Sequence, residues 1–313
     1  MAIINIKISM NPKEILSHLN QLLSGKERAI ELSLICLLAE GHLLIEDLPG
    51  VGKTTLALAL AKTLGLSFGR IQGTSDLLPS DITGSSIYHK KTETFHFQKG
   101  PIFNHILLID EINRMSPKTQ SALLEPMEEG QVTVDGMTYP LPKPFFLIAT
   151  QNPIEFYGTF PLPEAQLDRF LMKISIGYPP RELEREILKR GSLKEEVEGL
   201  KPLMSVEEVL AHQEGVKKVK VSEKVLDYLL DIVEATRRSP YLTVGVSTRG
   251  ALSLLSAAKA KAYLHGRDYV LPEDLKELCP YVLLHRLIFR EEYVEEKSQI
   301  LEEILRAIPV PVY

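Results

Sequence analysis

Short runs of consecutive apolar residues alternate with longer stretches whose apolar positions recur every three or four residues, from Pro12 to Ile176. An uninterrupted apolar run marks a strand buried on both faces, and the three-to-four spacing marks a helix with one apolar side, so the alternation predicts a parallel sheet covered by helices. Five strands are expected, at His42 to Glu46, Ser67 to Gln72, Ile106 to Asp110, Phe145 to Thr150 and Leu171 to Ile176. Helices are expected over Pro12 to Leu23, Glu27 to Ala39, Thr54 to Leu64 and Pro117 to Glu129. Ser116 is placed to cap the last of these and Pro117 to occupy its first position. Pro126 removes one helical hydrogen bond and clashes with the Ala122 carbonyl, so the final turn of that helix is expected to be irregular.

Two segments break the alternation with a period of two. Thr94-Phe95-His96-Phe97-Gln98 pairs with Ser86-Ile87-Tyr88 across His89 to Glu93, and Gln131-Val132-Thr133-Val134 pairs with Met137-Thr138-Tyr139 across Asp135-Gly136. Asp-Gly suits a two-residue type I′ turn, in which both central residues take positive φ. After Gly177-Tyr178-Pro179-Pro180 no strand-like cluster follows, and helical periodicity runs to the end of the chain. The pattern therefore predicts an α/β core over residues 1–178 with two inserted β-hairpins, followed by an all-helical domain over 179–313. The expected helices there cover Arg181 to Arg190, Ser205 to Glu214, Ser222 to Ser239, Ser247 to Gly266, Pro272 to His285 and Glu291 to Ala307.

The connection from the first strand into its helix carries specific chemistry. Asp47-Leu48-Pro49-Gly50-Val51-Gly52-Lys53-Thr54-Thr55 joins an apolar strand to an alanine- and leucine-rich helix. A triphosphate needs inward-pointing backbone N–H groups, which a tight turn at a helix N-terminus supplies, and Gly50 and Gly52 let the backbone approach without a Cβ clash. Leu48 to Thr55 thus form a phosphate cradle, or P-loop, from which Lys53 reaches the β- and γ-phosphates and the Thr54 hydroxyl reaches Mg²⁺. Asp47 departs from the consensus glycine and would repel phosphate if it pointed inward.

Ile106-Leu107-Leu108-Ile109-Asp110-Glu111 is an apolar strand ending in two acids. Ligands of open parallel sheets collect at the carboxyl ends of strands, so these acids should face the cradle, Asp110 on the magnesium shell and Glu111 as acceptor of a proton from attacking water. Phe145 to Thr150 runs into Gln151-Asn152-Pro153, which sets the Asn152 amide beside the same site, although Asn-Pro alone is ordinary turn chemistry. Together these residues imply the cofactors ATP and Mg²⁺.

Composition narrows the class. A net charge of −5 makes bulk attraction to nucleic acid weak and leaves room only for a local basic patch, so there is no strong nucleic-acid signal. Cys36 and Cys279 lack metal or redox spacing and read as core thiols in a reducing compartment. The N-terminal residues lack a secretory apolar region, and the run from Leu32 to Ala39 is too short to span a bilayer, so there is no transmembrane segment and the expected location is cytoplasmic.

Taken together, the cradle, Asp110-Glu111-Ile112-Asn113-Arg114, Asn152, Leu162-Pro163-Glu164-Ala165-Gln166-Leu167-Asp168-Arg169-Phe170 and Gly245-Val246-Ser247-Thr248-Arg249 resemble the MoxR branch of the AAA+ ATPases over essentially the whole chain. The resemblance implies that Asn152 is the sensor 1 residue, Arg169 the arginine finger offered to a neighbouring subunit and Arg249 the sensor 2 residue of a helical lid. It also makes the two hairpins the helix 2 insert and the pre-sensor 1 hairpin. On their own, Arg169 would be a surface charge or a helix C-terminal cation, and Arg249 a cation in the first turn of a helix, where the macrodipole opposes it. The implied activity is ATP hydrolysis in a homo-oligomer, a six-membered ring, that remodels or matures a protein client, commonly one bearing a von Willebrand factor A domain. A magnesium-chelatase-like motor subunit shares the same core. A DNA-translocating motor fits less well because the second hairpin turns through Asp135-Gly136 rather than basic residues, although the first carries Lys90 and Lys91. A nucleotide-gated scaffold without turnover is disfavoured by Glu111.

Overall fold

The computed structural model describes residues 10–153, 158–191 and 193–311. Its first half contains the strands β1 (Leu43–Glu46), β2 (Phe68–Gln72), β3 (Gly84–His89), β4 (Thr94–Lys99), β5 (Ile106–Asp110), β6 (Gln131–Val134), β7 (Met137–Pro140), β8 (Phe146–Gln151) and β9 (Met172–Ile174). Five of these form one parallel sheet in the order β2-β5-β8-β1-β9. Both faces are buried, which explains the continuous apolar runs. Leu43, Ile45, Ile106, Leu108, Phe146 and Ile148 face the core shared with the flanking and C-terminal helices. Leu44, Leu107, Ile109, Leu147 and Ala149 face a second core with Ile82, Ile102, Leu123, Val132 and Phe170. A one-residue slip of any central strand would exchange the two sets.

Helices Pro12–Leu22, Glu27–Leu38 and Lys53–Thr63 match their expected ranges, the first closed by a capping box between Asn11 and Glu14. The expected single helix over Pro117 to Glu129 is instead two, Pro117–Ser121 and Leu124–Glu129. Ser116 does accept from the Thr119 N–H, at 3.3 Å. The irregularity lies before Pro126 rather than after it, because the clash falls on the carbonyl four residues upstream, at Ala122, and the turn containing the proline itself stays helical.

Both hairpins form, the second in the expected register with Val134 opposite Met137; in the first His89 joins the strand opposite Thr94, so its loop is Lys90 to Glu93 rather than His89 to Glu93. Asp135 and Gly136 take φ of 51° and 76°, the type I′ signature. Phe97 of β4 stacks on Tyr139 of β7 with ring centroids 4.1 Å apart, so the two hairpins touch.

The C-terminal region is helical, with its principal helices at Arg181–Arg190, Val206–Lys217, Glu223–Arg238, Thr248–Leu264, Pro272–Leu283 and Lys297–Ala307. It also holds what periodicity did not predict, a helical turn at Lys194–Glu198 and a short antiparallel ribbon of β10 (Leu242–Val244) and β11 (Ile288–Phe289). Strands of two and three residues are too short to generate a pattern; buried Leu242 and Phe289 pair across them. Arg28 pairs with both Glu31 and Glu277, tying the helix Glu27–Leu38 to Pro272–Leu283. Cys36 and Cys279 are buried free thiols, and burial pushes both upward, Cys279 to about 12.

Candidate active site

The segment after β1 turns tightly through Gly50 and Gly52, at φ of 84° and 88°, values that L side chains rarely adopt. A Cβ on Gly50 would meet nothing, so that side of the loop is open, and the helix Lys53–Thr63 starts directly beneath it. Lys53 Nζ donates to the Asp47 carbonyl at 2.6 Å. Its ammonium is lowered by burial, an effect opposed by the carboxylates of Asp47, Asp110 and Glu111. A turn with an open face, a helix N-terminus below it and an amine tethered, among the described residues, to a backbone carbonyl is a donor set that fits a polyphosphate.

Asp47 does not point into this cradle. Its Oδ2 accepts from the N–H groups of Ile176 and Gly177 at 2.7 and 2.6 Å and from the Ser175 hydroxyl at 3.0 Å, while Oδ1 accepts from the Leu48 N–H at 2.8 Å. Burial would raise this carboxyl, but the accepted bonds outweigh it and hold it below the usual carboxylate range. The residue that departs from the glycine consensus thus anchors the start of the loop to the chain leaving β9.

At the end of β5, Asp110 Oδ2 accepts from Arg70 Nε at 2.7 Å, and Glu111 Oε2 from Gln72 Nε2 at 2.8 Å and Arg114 Nη1 at 3.1 Å. Parallel register sets Gln72 beside Asp110, which is how the neighbouring strand delivers these partners. Glu111 has φ 57° and ψ 53°, a left-handed conformation costing a non-glycine residue about 1–3 kcal/mol. Its N–H donates to Thr150 Oγ1 at 2.9 Å, holding the turn against β8. Gly73 makes room, since a Cβ there would strike the Glu111 carbonyl. Asn152 is buried one residue beyond β8, whose Gln151 lies opposite Glu46 in β1. The structure therefore gathers Leu48 to Thr55, Asp110, Glu111 and Asn152 along one edge of the sheet, where Asp110 and Thr54 are the oxygen donors suited to Mg²⁺.

Arg169 and Arg249 lie elsewhere. Both reach Glu128, Arg169 Nη2 at 3.1 Å to one carboxylate oxygen and Arg249 Nη2 at 3.0 Å to the other. Arg249 Nη1 is also 3.6 Å from Asp168, whose other oxygen accepts from Arg286 Nε at 2.8 Å. The cluster borders a cavity of about 320 Å³ whose walls include Gly41, His42 and Leu171, residues that precede β1 and β9. It therefore sits at the amino edge of the sheet, with the length of β1, about 13 Å, between it and the phosphate loop. The Arg169 side chain is only 19% exposed, and its Nε is buried without a partner among the described residues, so it is no ordinary surface charge.

Three residues of this cluster were not singled out from the sequence. Glu128 collects both arginines from the end of a helix. Arg286, with a side chain 3% exposed, donates to the carbonyls of Asp168 and Phe170 at 3.0 and 2.7 Å and of Leu171 at 3.2 Å, so that the C-terminal region grips the Asp168-Arg169-Phe170 turn. His42 accepts from the Leu147 N–H through Nδ1 at 3.1 Å, leaving Nε2–H to donate to the Met127 carbonyl at 3.1 Å, beside Glu128. Burial lowers His42 to about 4. No local spacing marks these residues, since their partners lie about 40 to 120 positions away; only Gln72, at a strand end next to the acids, left a readable trace.

A parallel sheet with a phosphate loop at one edge and acids ending the strand next but one defines an α/β nucleotide-hydrolase class, and comparison with known proteins narrows it. Residues 42–172 match the ATPase family associated with various cellular activities (AAA), and residues 234–304 match the AAA lid domain. The chain is 50% identical over 298 residues to the uncharacterized protein YeaC of Bacillus subtilis, covering 94% of this chain and 93% of that one. It is 40% identical over 303 residues to Chaperone MoxR1 of Mycobacterium tuberculosis, covering 93% and 80%. The crystal structure of a Cytophaga hutchinsonii protein described as an ATPase superposes with a TM-score of 0.88 at 42% identity, covering 96% of this chain and 94% of that one. The chain belongs to the MoxR family of AAA+ ATPases. Among the described residues no helix is long and apolar enough to cross a membrane.

Proposed function

We propose that this protein is a Mg²⁺-dependent ATPase that works as a ring, six-membered by family resemblance, and remodels or matures a protein client in the cytoplasm, with a hinge near Tyr178 dividing core from lid. One observation carries the reading: Arg169 and Arg249 converge on the sheet edge opposite the phosphate loop. Neither can serve the loop of its own chain across the intervening sheet, so both are available to a neighbouring subunit's site. In the proposed chemistry Lys53 and the loop N–H groups bind the polyphosphate, while Thr54 and Asp110 hold the metal. Glu111 accepts the proton of the attacking water, and Asn152 orients that water. Arg169 and Arg249, contributed across the interface, offset charge on the transferred phosphoryl. Bound magnesium nucleotide supplies the electrophilic phosphorus and screens its charge.

A protein client is favoured over nucleic acid by the hairpin surfaces. Phe95 is 71% exposed, and Tyr88, Ile87 and Met137 are also open, while the second hairpin tip is Asp135-Gly136. Exposed apolar strand residues of this kind suit peptide contact, and the von Willebrand factor A domain is the client class that family resemblance supplies.

Mixing tests the shared site. Arg169→Ala and Glu111→Gln should each be nearly inactive, for different reasons. Rings containing both should regain partial hydrolysis, because some sites then combine an intact Glu111 with an intact Arg169 from the neighbour. If subunit exchange is verified and no activity returns, the trans assignment fails.

A further inference from the structure

Gly25-Lys26 forms the entry to the helix Glu27–Leu38, with Lys26 at the position just before its first turn. Gly25, at φ 83°, packs so closely on Pro179, Pro180 and Leu183 that any Cβ would strike Leu183, so the segment is wedged between the core and the start of the C-terminal region. From there the Lys26 side chain does not extend into water. It folds onto the phosphate loop, where a Cβ on Gly52 would fall on its Nζ and lie 3.4 Å from its Cε.

That position is unfavourable for a cation taken alone. Gly52 is the residue preceding the helix Lys53–Thr63, whose unpaired N–H groups carry partial positive charge. Lys53, the next residue along the loop, carries a second ammonium. Among the described residues Lys26 has no carboxylate or other hydrogen-bonding partner, and burial lowers its ammonium. A long lysine with freedom to move usually sends its charge to solvent; this one holds it, half-buried and unpaired, against like charge. A group so placed is stabilised when an anion binds at the loop.

We infer that Lys26 is a second phosphate-binding cation of this site, reaching the loop at Gly52 from the entry of the helix Glu27–Leu38 and contacting a nucleoside polyphosphate directly. The inference rests on the reading of Leu48 to Thr55 as the nucleotide cradle.

The test measures ADP and ATP affinity by titration calorimetry, alongside the thermal midpoint of the nucleotide-free protein. Lys26→Met should bind ADP about 10- to 100-fold more weakly, the effect of losing one charge-assisted contact. Adenosine affinity should be unchanged, and the nucleotide-free midpoint should be unchanged or higher, because an unpaired, desolvated charge has been removed. Lys26→Arg should bind ADP within a few-fold of the parent. ADP affinity within threefold of the parent in Lys26→Met would overturn the inference, as would an equal loss for adenosine, which would put the contact on the nucleoside. A lowered nucleotide-free midpoint accompanying the loss would make the role structural and overturn it too. Lys53→Ala separates the two claims: if it binds ADP as well as the parent does, the cradle reading itself falls, whereas its loss together with an indifferent Lys26→Met removes only Lys26.

Discussion

The two edges of the central sheet are built by opposite means. At the carboxyl edge the phosphate loop, Asp110, Glu111 and Asn152 come from strand ends, so each functional group lies at the end of its own strand or within nine residues after it. At the amino edge Arg169, Arg249, Glu128, Asp168 and Arg286 come from four separate segments and are held to one another by ion pairs. The first edge is a property of the strands. The second is a property of the packing of lid against core, which makes it sensitive to changes far from any nucleotide.

The difference is open to direct attack, and Arg169→Ala should show the largest effect. If the amino edge completes a neighbour's site, the loss should be on the order of 10³ to 10⁵ in rate, about 4–7 kcal/mol, with ADP binding kept. An exposed ion pair lost with Glu128 would be worth only about 0–1 kcal/mol. Steady-state hydrolysis at the parent rate would reduce Arg169 to a structural charge and erase the distinction between the edges.

Arg286→Met should come next, and should act on stability. It leaves Asp168 without its closest partner and strips the donor from the carbonyls of Phe170 and Leu171. Breaking a buried pair in this way costs about 3–5 kcal/mol. Denaturant unfolding followed by circular dichroism reads the loss; a change below about 1 kcal/mol would mean that the lid does not depend on this grip.

Smaller, and specific to the amino edge, is a pH effect from His42. Its folded value of about 4 lies below the ordinary 6.5 because burial disfavours the charged ring. A histidine buried neutral contributes full stability above the unfolded value and loses it as pH falls from 6.5 toward 4, since only the unfolded chain takes up the proton. Between pH 7 and pH 5 this amounts to about 2 kcal/mol. His285, lowered to about 3 by burial and by the Arg286 charge, with its Nε2 3.0 Å from the Phe170 carbonyl oxygen at the same edge, acts with the same sign. His42→Gln should flatten the pH dependence of stability over that window, whatever it does to stability at pH 7. An unchanged slope would remove His42 as its source.

Most of the fold and nearly all of the carboxyl edge were legible in the sequence. Buried parallel strands must be apolar throughout, a phosphate turn must carry glycine, and both constraints act within ten residues of chain. The pattern also placed the hairpins, because an Asp-Gly turn and a period of two are local. Elsewhere it erred or stayed silent. The break near Pro126 moved upstream, the ribbon of β10 and β11 was too short to announce itself, and Asp47 read as a threat to phosphate when its hydrogen bonds to Ile176 and Gly177 turn it the other way.

The sequence by itself determined which residues make the strands, the phosphate turn and the acids that follow them, because backbone sterics, burial and period act between near neighbours. Only the tertiary structure decided that Arg169 and Arg249 share one carboxylate, that Arg286 grips the turn that carries Arg169, and that this cluster stands a full strand length from the phosphate loop. Charges attract whatever partner the fold brings within reach, and no spacing along the chain records a contact between residues 121 positions apart.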